Sequence, residues 1–120
     1  LYSFDIVDIN ELDLSQITRL IIVDTSRKDR IGVFSEIINN KDIEIIVFDH
    51  HLEENEIETE QKFIKKFGAC TSILVEFLKE RDISLSPEEA TTLMMGIYED
   101  TGNLTFNTTT EADYYAAAYL

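Results

Sequence analysis

Cysteine is nearly absent from this sequence, which has one among 120 residues. A lone thiol, Cys70, cannot form a disulfide within the chain, so a reducing cytoplasm is the expected location. Long apolar runs are also missing: none approaches the ~20 residues that are needed to cross a membrane. There is no signal-peptide pattern, internal repeat, low-complexity segment or domain-scale linker. These absences exclude a membrane-spanning protein and a domain held together by internal disulfides.

Positive charge is scarce as well. Ten lysines and arginines stand against 24 aspartates and glutamates, which gives a net charge of −14. Such a surface repels phosphate groups, so the chain lacks the basic footprint of a nucleic-acid-binding protein. If the substrate is a phosphate ester, metal cations must neutralise the charge at the site. The alternative is that the acidic surface only keeps a cytoplasmic protein soluble.

The sequence does contain enough apolar material for one domain with a core, since 44% of its residues are hydrophobic. Two short apolar runs, Leu20–Val23 and Ile43–Phe48, predict strands that are buried on both faces of a parallel sheet. Helical spacing in Gly32–Asn40 predicts an α-helix between them. A further strand, an exposed connection and an edge strand are expected, in that order, in Tyr2–Ile9, Glu53–Glu60 and Ile57–Ile64.

The second half of the sequence predicts helices. Ala69–Arg81 has its apolar residues on one side. The next helix has a capping box with proline at the first helical position, and it runs from Ser86 to a stop at Gly102. A third helix begins near Thr108 or Thr109. The expected fold class is therefore α/β, with a Rossmann-like parallel sheet and a helical second half.

Acidic residues follow three of these predicted elements. Asp24 comes after the first strand, Asp49-His50-His51 after the second, and Asp100 near the end of the capped helix. Parallel strands end at one edge, where open α/β sheets bind ligands, so we expect the three sites to converge. Carboxylate oxygens and imidazole nitrogens suit Mn²⁺, Mg²⁺, Zn²⁺ or iron. Each site alone could instead be a cap, a turn or an exposed histidine pair.

The order of these motifs resembles one family. Val23-Asp24-Thr25, Asp49-His50-His51 and the Gly-Ile-x-x-Asp-Thr-Gly segment at 96–102 resemble the second, third and fourth motifs of the DHH phosphoesterase superfamily. Segments 68–72 and 96–106 are similar to one branch, the DHH domain found with CBS domains and a tRNA nucleotidyltransferase/poly(A) polymerase-like domain in bacterial multidomain proteins. The resemblance implies metal-dependent hydrolysis of phosphodiester or related phosphate bonds of nucleotides or oligonucleotides.

The resemblance also implies a pair of divalent metals, commonly Mn²⁺ with Mg²⁺ as the alternative, which activate a water to attack phosphorus. Asp24 would bridge the two metals, and His50 and Asp100 would bind the second. Asp49 would orient a ligand or bind metal directly, and His51 would face the substrate phosphate. Asp49 and His51 are therefore the residues expected to act in catalysis.

Three further residues are candidates for substrate binding. Thr71 and Ser72 lie at a predicted helix N-terminus, where free N–H groups and the helix dipole can bind a phosphate. Asn103 follows Asp100 closely in the sequence and could contact the substrate. Simple helix capping by Thr71 and Ser72, and a turn at Asn103, are the alternatives.

Two parts of the family pattern are missing. The first motif, a strand followed by a histidine and an Asp-x-Asp pair, is absent, and so is the smaller C-terminal domain. The sequence also starts at Leu1 and stops within an apolar helical pattern. Residues 1–120 are thus expected to be part of a catalytic domain, inactive alone and attached to other domains, and an oligomer is compatible with this expectation.

The expected partners are a phosphorylated small molecule or a short nucleic acid, and no membrane. A competing hypothesis is a non-catalytic module that binds metal or nucleotide and regulates attached domains. A third hypothesis is a structural α/β domain whose histidines bind nothing.

Overall fold

A parallel sheet comes first in the chain and three helices follow it. The computed structural model of the protein describes residues 6–52 and 56–120. Three strands are hydrogen-bonded in the order β1-β2-β3. The strands and helices have these bounds: β1 Arg19–Val23, β2 Glu44–Asp49, β3 Gln61–Ile64, α1 Cys70–Glu80, α2 Pro87–Thr101 and α3 Glu111–Tyr119. The predicted α/β fold with a parallel sheet and a helical second half is confirmed.

All strand pairs in this sheet are parallel. In the register between β1 and β2, Val23 lies opposite Phe48, and between β2 and β3, Phe48 lies opposite Phe63. The carboxyl ends of β1 and β2 therefore meet at one edge of the sheet. Asp24, which directly follows β1, and Asp49, the last residue of β2, both lie at that edge.

The two faces of the sheet have different cores. On one face, alternate residues of β1 and β2 join the connecting segments in a buried cluster of Ile22, Ile38, Ile43, Ile45, Val47 and Ile57. On the other face, α1 packs over β2 and buries Phe48, Cys70 and Ile73. Rings of Phe48 and Phe63 stack there with their centroids 4.8 Å apart.

The prediction that both faces of β1 are buried is wrong. Ile21 and Val23 are 55% and 51% exposed, whereas Ile22 between them is buried. The exposed pair points to the face on which α1 lies over β2, and α1 does not extend over β1. Apolar composition alone cannot show how far a covering helix extends.

The α-helix predicted for Gly32–Asn40 is also wrong. Two short 3₁₀ turns, Lys28–Arg30 and Gly32–Glu36, connect β1 to β2 instead. Gly32 has a left-handed backbone with φ of 57°, which interrupts the segment, and the remainder is too short to offset the cost of helix nucleation. The apolar spacing nevertheless placed Ile37 and Ile38 correctly against the core.

Three weaker predictions have mixed outcomes. For the strand expected at Tyr2–Ile9, residues 1–5 lie outside the described residues, and the rest is a coil that enters a 3₁₀ turn, Ile9–Glu11. For the exposed connection expected at Glu53–Glu60, residues 53–55 also lie outside the described residues. Ile57 in that connection is buried, not exposed. The edge strand expected within Ile57–Ile64 is present as β3, which covers only the second half of that range.

The helix signals in the second half are largely confirmed. Ser86 and Glu89 form the predicted capping box of α2, and Gly102 ends the helix with φ of 55°. α3 starts slightly later than expected, with Thr110 as its N-cap. In the described part of the chain, no helix combines the length and apolar character that a bilayer crossing requires.

Candidate metal centre

Asp24 stands at the carboxyl end of β1 in an unusual backbone conformation. Its φ is 62°, in the left-handed region that few residues other than glycine adopt, although aspartate tolerates it better than most. The Asp24 N–H donates to the carbonyl of Phe48 at 2.9 Å, which ties the turn to β2. Its side chain is 56% exposed. Strained backbone of this kind is concentrated at functional sites.

His50 lies between two acceptors. Its Nδ1 is 3.2 Å from the carbonyl oxygen of Phe67, and its Nε2 is 3.2 Å from Oδ1 of Asp24. Because a carbonyl can only accept, Nδ1 must carry a proton and donate. In the neutral imidazole the lone pair of Nε2 then faces a carboxylate oxygen. A cation between these two atoms, either a proton or a metal ion, would make this arrangement favourable.

His51 is oriented in the same way by a different group. Its Nδ1 is 2.8 Å from Oδ1 of Asp49, and its backbone N–H donates to the same oxygen at 3.1 Å. Half of the side chain is exposed. One ligand atom from each of Asp24, His50 and His51 lies within 4.8 Å of the other two.

Asp49 is the buried support of this group. It is 1% exposed, and its Oδ2 accepts a hydrogen bond of 2.7 Å from the hydroxyl of Ser26. Burial raises the pKa of Asp49, but the hydrogen bonds from Ser26 and His51 together outweigh it and leave the pKa below its usual value. Asp49 is therefore an ionised acceptor at neutral pH. Both of its oxygens are engaged, which favours orienting His51 over binding a metal directly.

Asp100 reaches the same region from α2. Its Oδ2 accepts a hydrogen bond of 3.2 Å from the backbone N–H of Cys70, at the start of α1. It is not among the three residues whose ligand atoms cluster, so this structure brings Asp100 near but not into that group. The Cys70 thiol is buried and donates to the Phe48 carbonyl at 3.3 Å. Burial, with the nearby charges of Asp24, Asp49 and Asp100, raises the pKa of Cys70 to about 12.

The three predicted substrate contacts have different surroundings. Ser72 is 1% exposed and its hydroxyl donates to Asp113 at 2.6 Å, which argues against a contact with substrate. Thr71 packs closely against Gly96 of α2, so its side chain takes part in helix packing. Asn103 is exposed, and its backbone N–H closes the end of α2 by donating to Tyr98. Of the three side chains, Ser72 is buried, Thr71 is partly exposed and Asn103 is exposed.

Asp113 is an important residue that sequence reasoning missed. It is fully buried, and its carboxylate accepts five hydrogen bonds, from the backbone N–H groups of Gly68, Ala69 and Thr110 and the hydroxyls of Ser72 and Thr110. Burial raises the pKa of Asp113, but these bonds outweigh it and lower the pKa below its usual value. The Thr-x-x-Asp spacing at 110–113 is a capping-box pattern and could have revealed it.

The donor set fits a divalent cation. In octahedral coordination, two ligand atoms ~2.1 Å from one ion and at a right angle to each other are ~3.0 Å apart. The 3.2 Å between His50 Nε2 and Asp24 Oδ1 is close to this value. An exposed carboxylate and an imidazole fixed through Nδ1, with a second imidazole and a second carboxylate nearby, are donors of the kind that bind divalent metal ions.

Comparison with known proteins gives consistent matches. The pattern of the DHH family, N-terminal domain, matches residues 4–97. An A-adding tRNA nucleotidyltransferase of Geobacter sulfurreducens is 41% identical over 120 residues, which is 99% of this chain and 14% of that protein. The bifunctional oligoribonuclease and PAP phosphatase NrnA of Mycoplasma genitalium is 29% identical over 124 residues, 100% of this chain and 39% of that protein. The chain thus spans a minor part of these curated relatives.

A solved structure shares the fold. An exopolyphosphatase-related protein from Bacteroides fragilis superposes with a TM-score of 0.74 at 19% identity, over 86% of this chain and 31% of that one. At this identity the likeness concerns the fold alone. The parallel sheet and the helices that follow it therefore recur in a solved protein.

Proposed function

Because this chain belongs to the DHH family, we propose that it is a divalent-metal-dependent phosphoesterase domain. Its substrates are phosphodiester or related phosphate bonds of nucleotides or short oligonucleotides. DHH phosphoesterases depend on divalent metals in general, and we propose Mn²⁺ here with Mg²⁺ as the alternative. The observation that carries this proposal is the pair of facing acceptors, His50 Nε2 and Asp24 Oδ1 at 3.2 Å.

Each residue of the centre has a proposed role. Asp24 and His50 would hold the metal ion, and Asp100, which accepts from the Cys70 N–H nearby, would be a further ligand. Asp49 orients His51 rather than binding metal, because both of its oxygens are already engaged.

The bound cation supplies positive charge next to the substrate phosphate and makes a water molecule easier to deprotonate. The chain's own groups supply orientation and a proton path. The Nδ1–H of His51 donates a hydrogen bond to Asp49, which fixes the ring, and half of the side chain is exposed, so Nε2 would face the phosphate. When Nε2 also carries a proton, it can donate that proton to the leaving oxygen, while the Asp49 charge stabilises the imidazolium.

The relatives support a nucleotide substrate in a larger protein. One is named an oligoribonuclease and phosphatase. Another is named a tRNA nucleotidyltransferase, and it contains a segment that is 41% identical to this chain. We therefore propose that the chain acts as part of a tRNA nucleotidyltransferase/poly(A) polymerase-like multidomain protein. We also propose a cytoplasmic location, because the one cysteine of this chain is a free thiol.

The test is hydrolysis of bis(p-nitrophenyl) phosphate by the full-length protein with Mn²⁺. Replacing a metal-binding imidazole removes several kcal/mol of charge stabilisation, so His50→Gln is expected to lower kcat/KM at least about a hundredfold. Asp42→Asn is the matched control, because Asp42 is an exposed carboxylate before the opposite end of β2. Full activity in His50→Gln would contradict the proposal.

A regulatory module is the second candidate, because two relatives of this chain are named for nucleotide addition and not for hydrolysis. In that case the metal centre binds a nucleotide and controls an attached domain. Isothermal titration calorimetry of the full-length protein with Mn²⁺ and AMP separates the two. Binding that His50→Gln abolishes, without any turnover, favours the regulatory module, whereas turnover favours the enzyme.

A further inference from the structure

The loop Phe67–Ala69 lies between the metal centre and the interior of the helical half. Its carbonyl at Phe67 accepts the Nδ1 proton of His50. Its next two backbone N–H groups, of Gly68 and Ala69, both donate to Asp113, at 2.9 and 3.0 Å. The same three residues therefore bind a proposed metal ligand on one side and a buried carboxylate on the other.

Asp113 makes more bonds than a helix cap requires. As the third residue of α3, a capping carboxylate needs to accept only from the N-cap, Thr110. Asp113 accepts from Thr110 and also from three groups of the α1 entry, at Gly68, Ala69 and Ser72. Hydrogen bonds to an ionised acceptor in a buried site are strong and fix the geometry of their donors.

Gly68 shows how closely the carboxylate approaches the loop. A Cβ added at Gly68 would lie 2.5 Å from Oδ2 of Asp113 and 3.0 Å from the carbonyl oxygen of Thr108. No side chain fits between the loop and Asp113. The position of the Phe67 carbonyl is thus set by a contact that tolerates little displacement.

We propose that Asp113 is a positioning residue for His50. It holds the loop Phe67–Ala69 so that the Phe67 carbonyl keeps the Nδ1 proton of His50 in place and aims Nε2 at the metal. The inference rests on the proposed function in one respect, that Nε2 is a metal-binding atom. Groups that orient a metal-binding histidine typically change metal affinity 10–100-fold when they are lost, about the effect expected here.

The first readout needs no metal. In protein labelled with [¹⁵N]histidine, the His50 Nδ1 proton should appear as a slowly exchanging NMR resonance, assigned by its loss in His50→Gln. Asp113→Asn places an amide N–H group against backbone donors and releases the loop, so the resonance should broaden or disappear. Gly68→Ala should do the same from the loop side, which keeps the test available if Asp113→Asn does not fold.

The second readout is the dissociation constant for Mn²⁺, measured by calorimetry on the full-length protein. Asp113→Asn and Gly68→Ala should raise it about 10–100-fold. One matched variant should leave both readouts unchanged: Glu89→Gln removes the corresponding carboxylate from the exposed capping box of α2. Thr110→Ala removes one of the five hydrogen bonds to Asp113 but keeps those from Gly68 and Ala69, so its effect should be smaller than that of Asp113→Asn.

The outcomes separate the two proposals. Loss of the Nδ1 resonance and weaker Mn²⁺ binding in Asp113→Asn and Gly68→Ala, but not in Glu89→Gln, supports the positioning role. An intact resonance in a folded Asp113→Asn, or an equal effect of Thr110→Ala, overturns it. If the wild-type protein fails to bind Mn²⁺ while the resonance still depends on Asp113, the metal function fails and the positioning of His50 stands.

Discussion

Cys70 lies near the aspartates of all three acidic motifs although it is not charged. Its backbone N–H donates to Asp100, and its thiol donates to the Phe48 carbonyl, which also accepts from the N–H of Asp24. The thiol is buried among carboxylates, and each of these negative charges disfavours a thiolate. Cys70 is therefore expected to act through packing and hydrogen bonding, not through sulfur chemistry.

The thiol of Cys70 should be unreactive in the folded protein. Its pKa is raised to about 12, so almost no thiolate is present near neutral pH. Labelling with a thiol-specific disulfide reagent at about pH 8 should be at least about a hundredfold slower than in denaturant, since only the thiolate reacts. Labelling of the folded protein at the denatured rate would contradict this, and Cys70→Ala controls for background.

Single residues differ in how well the sequence predicted them. Asp24, Asp49, His50 and His51 lie close together, as predicted from their positions at the ends of two parallel strands. Their functional roles remain predictions. The Phe67 carbonyl could not be found, because a backbone group has no sequence signal. Ser72 lies at the start of a helix, as predicted. Its hydroxyl donates to the buried Asp113, which argues against the predicted contact with substrate.

Helices α1 and α2 approach each other closely where Thr71 meets Gly96. A Cβ at Gly96 would lie 2.3 Å from Oγ1 of Thr71 and 3.3 Å from its Cβ. Asp100 is one helical turn beyond Gly96, and its partner Cys70 precedes Thr71. The spacing of the two helices therefore helps to set the position of a proposed metal ligand.

Gly96→Ala should destabilise the protein even though alanine is the better helix former. Overpacking typically costs about 1–3 kcal/mol, while the gain in helix propensity is about 1 kcal/mol. We expect a lower free energy of unfolding in urea denaturation. The same substitution in a Thr71→Ala background should cost less, because the hydroxyl is gone. An equal cost in both backgrounds would show that the helices do not meet as described.

Elements with local signals were predicted better than those set by tertiary contacts. The start and end of α2 follow from Ser86, Glu89 and Gly102, whose caps depend only on neighbouring residues. The connection between β1 and β2 has the apolar spacing of a helix, but Gly32 and the short segment length favour 3₁₀ turns. The apolar periodicity identified which side chains face the core, but it did not predict the type of helix that the backbone forms.

At the scale of the whole molecule, the site depends on both halves of the chain. The sheet brings Asp24 and His50 together, whereas the helical half supplies Asp100 and the loop that orients His50. The order of the motifs predicted this convergence, because parallel strands end at one edge. The contacts between the halves, such as those of Asp113, could not be predicted, since they join residues that are far apart in sequence.

The half-exposed Ile21 and Val23 on β1 have a consequence for how the protein behaves in solution. Within the described residues β1 has a neighbouring strand on one side only, so apolar side chains and an open backbone edge face the solvent together. The net charge of −14 opposes contact between copies, but only over the Debye length, which shrinks from about 30 Å at 0.01 M salt to about 3 Å at 1 M.

Colloidal stability should therefore fall as salt is added. Light scattering of this 120-residue chain should show dispersed particles in dilute buffer and self-association in concentrated sodium chloride. Replacing both exposed residues, as in Ile21→Thr with Val23→Thr, should remove much of that response, because it keeps the β-branched shape and lowers the apolar area. If the double variant self-associates in salt as the wild-type chain does, the contact between copies does not involve the exposed face of β1.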